Sequence, residues 1–183
     1  MKYSGVAIVL HWLIGLMILT SLSVGLYMVD LSLSPTKLRL YSWHKWAGVT
    51  IFMLVLIRCW WRLSHTPPPL PDTMPHWQRI AANASHTLLY ALMIVIPLSG
   101  WLMSSAKGFQ TVYFGVLPLP DLLQKNKELG DTLALVHKTL NFTMIGVVIL
   151  HAGAALKHHF IDKDDILRRM LPAKKNSPPT STK

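Results

Sequence analysis

Residues 133–156 read LALVHKTLNFTMIGVVILHAGAAL, a largely apolar run that contains two histidines, His137 and His151. They are fourteen residues apart, just under four helical turns at ~3.6 residues per turn, so both imidazoles share one helix face. At ~1.5 Å rise per residue they are ~21 Å apart along the axis, most of the hydrocarbon thickness of a bilayer. One helix therefore offers a nitrogen ligand near each membrane surface, as two stacked redox cofactors would require.

The whole chain has the composition of a membrane protein. Of its 183 residues, 51% are hydrophobic and 14% are charged, against about a quarter charged in a soluble domain, and the mean hydropathy is +0.37. The apolar residues form four blocks of near-spanning length, at 6–29, 46–63, 84–105 and 133–156. We predict an all-α fold, an integral membrane four-helix bundle made by one domain, residues 1–172, with a disordered tail at 173–183.

Basic residues predict the orientation of the chain. Four spans place both termini on one side of the membrane, together with the connection between the second and third blocks. That side would hold eleven basic residues and the other side seven. Because basic loops tend to stay in the cytoplasm, we expect both termini there.

Three connecting segments also have predicted conformations. Residues 66–75 hold five prolines, which exclude a helix and favour an extended linker. Residues 107–130 are the longest connection on the other side and could lie over the membrane surface as a lid. Residues 157–170 have the amphipathic pattern of a short helix at the cytoplasmic surface, and Pro97 should kink the third span.

Charge and cysteine content exclude two classes of protein. The net charge is +10, but the basic residues flank apolar blocks, which favours contact with lipid headgroups over nucleic acid. Cys59 is the single cysteine, so the chain has no internal disulfide and no Cys-x-x-Cys-His motif for covalent haem attachment. Any haem would be held by side-chain ligands alone.

Histidines inside the spans are the main ligand candidates, because an ionisable residue in a membrane is costly and usually functional. Four of them pair by depth: His44 with His137 near the periplasmic surface, and His11 with His151 toward the cytoplasm. Interfacial histidines bonded to water or backbone would explain any one of them, but not the paired depths. Zinc would need further ligands that the spans do not offer. Two imidazoles, in contrast, fill both axial positions of a haem iron, and such a haem transfers electrons.

His86 is the rival ligand, because it lies at a depth similar to that of His11. A porphyrin needs room beside its ligand one turn along the helix. Tyr90 occupies that position for His86, whereas small residues occupy it for three of the paired histidines, Gly15, Gly48 and Ala155. We therefore expect His86 to support a ligand or to contact quinone. Beyond the fourth block, either His158 or His159 can face inward, at a substrate site or simply as a surface histidine.

Haem propionates carry negative charge that nearby cations would balance. Lys45 and Lys138 adjoin the histidines of the periplasmic pair, and Arg58 and Arg62 lie at the cytoplasmic end of the second block. Contact with lipid headgroups explains the same positions equally well.

At these residues the sequence resembles the bacterial cytochrome b561 family, four-helix dihaem proteins of the inner membrane that are related to the cytochrome b subunits of nickel–iron hydrogenases. The resemblance covers essentially residues 3–172. It is carried by five stretches: His11-Trp12-Leu13, Trp43-His44-Lys45, His137-Lys138, 151–159 and 161–170.

The resemblance implies haem b ligation by His11 with His151 and by His44 with His137. It also implies electron transfer between the periplasmic face and the membrane quinone pool, with His86 and His158 as candidates for a ubiquinone site. One branch of the family passes electrons from superoxide to ubiquinone. A basic periplasmic face would attract that anion, and here it would be formed by Lys37, Arg39, Lys45, Lys107 and Lys138.

Two other functions stay open. The chain could anchor or serve a periplasmic redox protein, with residues 107–130 as the docking surface. It could also be a small transporter that moves protons through intramembrane histidines, but that function does not explain the fourteen-residue spacing.

Overall fold

The computed structural model describes residues 2–71 and 74–172, and four long helices form most of it. In chain order the elements are α1 (Gly5–Val29), α2 (Pro35–Ser64), α3 (His76–Ala106), β1 (Val112–Tyr113), β2 (Leu117–Pro118), α4 (Lys127–Phe160) and α5 (Ile166–Arg169). The helices α1 to α4 are each long and apolar enough to cross a membrane. This confirms the predicted helical membrane bundle, and the chain is a multi-pass membrane protein. The predicted tail, residues 173–183, lies outside the described residues.

The sequence fixes where three of the long helices begin. Ser4, Ser34 and Asn126 cap α1, α2 and α4, each with a side-chain oxygen that accepts a hydrogen bond from the backbone N–H three residues later. α3 begins directly after Pro75. The helices α2, α3 and α4 extend beyond their apolar blocks at one or both ends, because helical hydrogen bonds satisfy the backbone in water as well as in lipid. Hydropathy therefore located the spans but not the helix ends.

A small apolar core fills the middle of the bundle. α1 packs closely on α2, α2 on α3, and α3 on α4. Met144 is 2% exposed and lies seven residues from both His137 and His151, so this core separates the two histidine levels. The buried cluster consists of Leu10, Ile14, Ile51, Val55, Leu92, Met93 and Met144.

A short β-hairpin covers one end of the bundle, which we call the hairpin end; there α1 and α3 end and α2 and α4 begin. β1 and β2 pair antiparallel around Phe114 and Gly115, whose φ angles of 49° and 72° suit a tight hairpin turn. The indole N–H of Trp46 donates to the carbonyl of Val112 at 2.7 Å. The predicted lid segment therefore packs on α2. The strands themselves were not predicted, because two-residue strands carry no periodicity.

The opposite end, which we call the terminus end, is crossed by the C-terminal segment. Of the predicted helix at 157–170, residues up to Phe160 belong to α4 and only α5 is separate. The chain turns at Lys163 (φ 54°), where the N–H of Asp164 donates to the carbonyl of His158 at 3.0 Å. The segment is held on α1, because the indole of Trp12 donates to the carbonyl of Met170 at 2.7 Å.

The proline-rich connection between α2 and α3 is not helical, as the sequence predicted. Residues 66–71, 74 and 75 are not helical, as the prolines require. Pro97 lies inside α3, which continues to its end at Ala106; the expected kink stays a prediction.

Candidate cofactor sites

Two pairs of histidine rings lie close together inside the bundle, one toward each end, with their planes at steep angles to each other. At the hairpin end, the ring centroids of His44 on α2 and His137 on α4 are 6.4 Å apart. At the terminus end, those of His11 on α1 and His151 on α4 are 6.1 Å apart. All four side chains are partly buried. The structure therefore brings together the same pairs that depth in the bilayer suggested, and their role as ligands stays a prediction.

The separation within each pair suits one metal ion held between two rings. An imidazole nitrogen binds a metal at about 2 Å, and the ring centre lies about 1 Å behind it, so rings on opposite sides of an ion have centres ~6 Å apart. Parallel stacked rings are closer, as Trp61 and His65 show at 3.8 Å, whereas the ring planes of the two histidine pairs lie at 69° and 87° to each other. Within the described residues, the spans place no carboxylate beside either pair, which fits a haem iron better than zinc.

Open space lies beside the ligand candidates on their own helices. A Cβ added at Gly15, one turn after His11, or at Gly48, one turn after His44, would meet no atom within 4 Å. The bundle thus leaves room where a macrocycle would need it, as the small residues at these positions suggested.

Hydrogen bonds fix the orientation of both rings at the hairpin end. His44 Nδ1 lies 3.1 Å from the carbonyl oxygen and 3.2 Å from Oγ of Ser21. His137 Nδ1 lies 3.1 Å from the carbonyl of Ile96 and 2.9 Å from Oγ of Ser99. A carbonyl can only accept, so each Nδ1 carries the proton and each Nε2 keeps a free lone pair. That is the tautomer a ligand bound through Nε2 requires.

Two glycines allow these rings to lie against the neighbouring helices. A Cβ at Gly25 would be 3.2 Å from Cε1 of His44, and one at Gly100 would be 3.0 Å from Cε1 of His137. Gly25 lies four residues after Ser21, and Gly100 four after Ile96, so each glycine is one turn beyond the accepting carbonyl.

Sequence reasoning missed these supporting residues. The available signal was a serine close in sequence to a glycine on a span that carries no ligand of that pair. It could have pointed to Ser21, Gly25, Ser99 and Gly100.

The terminus end gathers three histidines instead of two. The ring centroid of His86 on α3 lies 5.4 Å from that of His151, so proximity to His151 alone does not choose between His86 and His11. Two observations favour His11: its 6.1 Å separation is nearer to ~6 Å, and the space after it is open. One turn after His86, Tyr90 instead packs inward, and its hydroxyl accepts from Arg58 Nε at 3.0 Å.

Arg58, one of the predicted propionate partners, reaches into this cluster. Its Nη2 lies 3.4 Å from Nδ1 of His11, and its Nη1 donates to the carbonyl of Ala7 at 3.0 Å. Of the two lysines predicted at the other end, Lys45 donates to the carbonyl of Phe109 in the lid at 2.9 Å, and Lys138 is exposed. Contact of these three cations with a propionate stays a prediction.

His158 lies two turns beyond His151 on the same face of α4. Its Nδ1 is 2.7 Å from Oδ2 of Asp164 and 3.1 Å from Oδ2 of Asp162. The structure thus gives His158 carboxylate partners, whereas His65 and His76 are exposed.

Comparison with known proteins agrees with this arrangement. Residues 2–173 match the family described as prokaryotic cytochrome b561. The chain is 36% identical over 172 residues to cytochrome b561 homolog 2 of Escherichia coli (strain K12), which covers 93% of this chain and 91% of that protein. It is 33% identical over 180 residues to the probable superoxide oxidase CybB of Yersinia pestis, with 95% and 98% covered. It is 30% identical over 183 residues to cytochrome b561 homolog 1 of E. coli (strain K12), with 95% and 99% covered.

We predict that Gly100→Ala weakens cofactor binding at the hairpin end alone. The added Cβ would press on the ring of His137 from 3.0 Å and tilt it away from His44. Bound cofactor per chain should be lower in the purified variant than in the unsubstituted protein. Gly5→Ala is the matched control, because a Cβ there meets nothing within 4 Å. Equal cofactor content in both variants would contradict the role of Gly100.

Proposed function

The chain belongs to the prokaryotic cytochrome b561 family, whose members are electron-transferring b-type cytochromes, and we propose that it carries electrons across the membrane through two bis-histidine b-type haems. The observation that supports this most is the presence of two facing imidazole pairs, 6.1 Å and 6.4 Å between ring centroids, at the two ends of one bundle. Haem supplies one-electron chemistry when bound, and the protein sets where and how readily it occurs.

We assign the ligands as His44 with His137 and His11 with His151. α4 carries one ring of each pair, ~21 Å apart along its axis, so this single helix connects the two membrane surfaces. If these imidazoles hold the haems in pairs, the chemistry supplied would be electron exchange without oxygen binding at the iron.

The electron acceptor that fits the terminus end is ubiquinone. His86 lies against His151, at 5.4 Å between ring centroids, so a quinone touching His86 would be close to the terminus-end haem. Reduction of a quinone consumes two protons with its two electrons. We assign the delivery of protons from the surface on that side to His158, whose Nδ1 lies beside the carboxylates of Asp164 and Asp162. We infer that this end is cytoplasmic, in a bacterial inner membrane with both termini inside, because the sequence carries more basic residues on this side of its four spans.

A second candidate function is oxidation of superoxide at the hairpin end. The balanced reaction is 2 O2•− + Q + 2 H+ → 2 O2 + QH2. A relative of similar length is named a probable superoxide oxidase. At this end Arg39 and Lys138 are exposed, while the amino groups of Lys37 and Lys45 donate to carbonyl oxygens. This positive surface would attract a small anion, although Lys107 is partly offset by Asp131 at 3.3 Å.

The ligand assignment at the terminus end predicts different outcomes for two histidine variants. His11→Ala should lose one of the two haems, because it removes an axial ligand. His86→Ala should keep both haems and slow electron transfer to added ubiquinone. Haem per chain, measured on the purified variants, decides between them. Loss of a haem in His86→Ala with two retained in His11→Ala would reverse the assignment.

The superoxide function predicts haem reduction by superoxide that slows as salt rises, because an anion attracted by surface charge is screened over ~10 Å at 0.1 M salt. The double variant Arg39→Gln/Lys138→Gln should slow this step several-fold and flatten its salt dependence. Stopped-flow spectroscopy of the haems measures the rate. Lys2→Gln, at the terminus end, is the control. The superoxide function is contradicted if superoxide does not reduce the haems, or if the reduction rate does not depend on salt. The electrons would then come from another periplasmic donor, such as a redox protein docked on the lid.

A further inference from the structure

We propose that the groups contacting the histidine ligands make the two haems unequal, so that the terminus-end haem has the higher reduction potential and electrons move toward that end. The inference rests on the proposed function, because it takes both histidine pairs as haem ligands. It adds the direction of electron flow and names the residues that set it, Ser21, Ser99 and Arg58.

At the hairpin end, both ligands are made more electron-rich. The Nδ1–H of each ring donates to a backbone carbonyl, that of Ser21 at 3.1 Å and that of Ile96 at 3.1 Å. The Ser99 hydroxyl donates to the Ile96 carbonyl at 2.8 Å, so its lone pair is free to accept from His137 as well. Accepting groups on Nδ1–H raise the basicity of the imidazole. A more basic ligand stabilises the oxidised iron and lowers the reduction potential.

At the terminus end, the ligands have the opposite surroundings. Across residues 2–71 and 74–172, no carbonyl or carboxylate accepts a hydrogen bond from the ring of His11, His86 or His151. The polar group beside His11 is the guanidinium of Arg58, whose Nη2 lies 3.4 Å from Nδ1. A ring bound through Nε2 would keep its proton on Nδ1, and a guanidinium can only donate, so Arg58 would act on a bound haem through its charge and not through a hydrogen bond to the ring. A fixed positive charge disfavours the oxidised, more positive iron and so raises the reduction potential.

The charge of Arg58 is held in place. Its guanidinium donates to the carbonyl of Ala7 and to the hydroxyl of Tyr90, both at 3.0 Å. In the described part of the chain, no carboxylate lies within ion-pair distance of it. Arg62, one turn further along α2, adds a second cation 5.7 Å from the centre of the Tyr90 ring.

Other charges at the two ends do not cancel this difference. At the terminus end, Asp162 and Asp164 bind Lys157 and His158, so their charge is met locally. At the hairpin end, Lys45 donates to the lid carbonyl of Phe109. Arg39 and Lys138 are exposed, so solvent and salt screen their charges more than the charge of the partly buried Arg58. An electron therefore has lower free energy at the terminus end, where we place the quinone.

A redox titration of the purified dihaem protein, followed by haem absorbance, tests the inference. The wild type should show two midpoints. Arg58→Gln should lower the higher midpoint by about 59 mV, a tenfold change in the one-electron equilibrium, and Arg58→Lys should restore most of it. Arg62→Gln, which removes a cation that does not contact His11, should shift it less.

The hairpin-end variants should move the other midpoint. Ser99→Ala and Ser21→Ala should raise the lower midpoint and leave the higher one in place. Ser99→Thr, which keeps the hydroxyl, should behave as wild type. Ser23→Ala is the matched control, since its hydroxyl donates only to the carbonyl of Leu19 within α1.

Haem content, counted first in every variant, separates this inference from the function it rests on. Two haems with equal midpoints in the wild type would overturn the inference. It would also be overturned if Arg58→Gln shifted only the lower midpoint. A third contradicting result is a midpoint shift in Ser99→Ala that is no larger than the shift in Ser23→Ala. In each of these results the two-haem function stands. Fewer than two haems in the wild type would instead remove the proposed function itself.

Discussion

The whole arrangement depends on imidazole rings from different helices facing each other across the interior of the bundle. A histidine in a membrane span is tolerated when its nitrogens have partners. Here α4 carries one ring of each pair on a single face, and α1 and α2 supply the other two. Close backbone packing runs from α1 to α2, α2 to α3 and α3 to α4. The rings of α4 thus meet those of α1 and α2 where the backbones do not pack closely, and space for a macrocycle remains.

Small residues leave space in this interior for the histidine rings and for a macrocycle. Gly25 and Gly100 let two rings lie against neighbouring backbones, while Gly15 and Gly48 leave space beside two others. Between the two levels, Met144 and its buried neighbours close the core. The bundle is thus built of two polar levels separated by one apolar level. That division matches the two tasks of a transmembrane electron carrier, which must hold charge-bearing cofactors near both surfaces and exclude water between them.

Much of this arrangement could be predicted from the sequence, and the limits have physical causes. The four spans follow from apolar blocks of membrane-crossing length, and the histidine pairs follow from depth, because both quantities are set along the helix axis. Contacts between helices also depend on rotation about that axis and on neighbour distances. For that reason the carbonyl partners of His44 and His137 were missed, and His86 could not be placed relative to His151. The hairpin at Val112–Pro118 was missed because its strands are too short to carry a pattern.

The most direct test of the paired imidazoles is a pyridine haemochrome assay combined with the absorbance spectrum of the oxidised protein as purified. The account predicts two b-type haems per chain, both low-spin and six-coordinate, as two imidazoles on each iron require. A single haem per chain, the lack of a b-type spectrum, or a high-spin iron with an open position would contradict it.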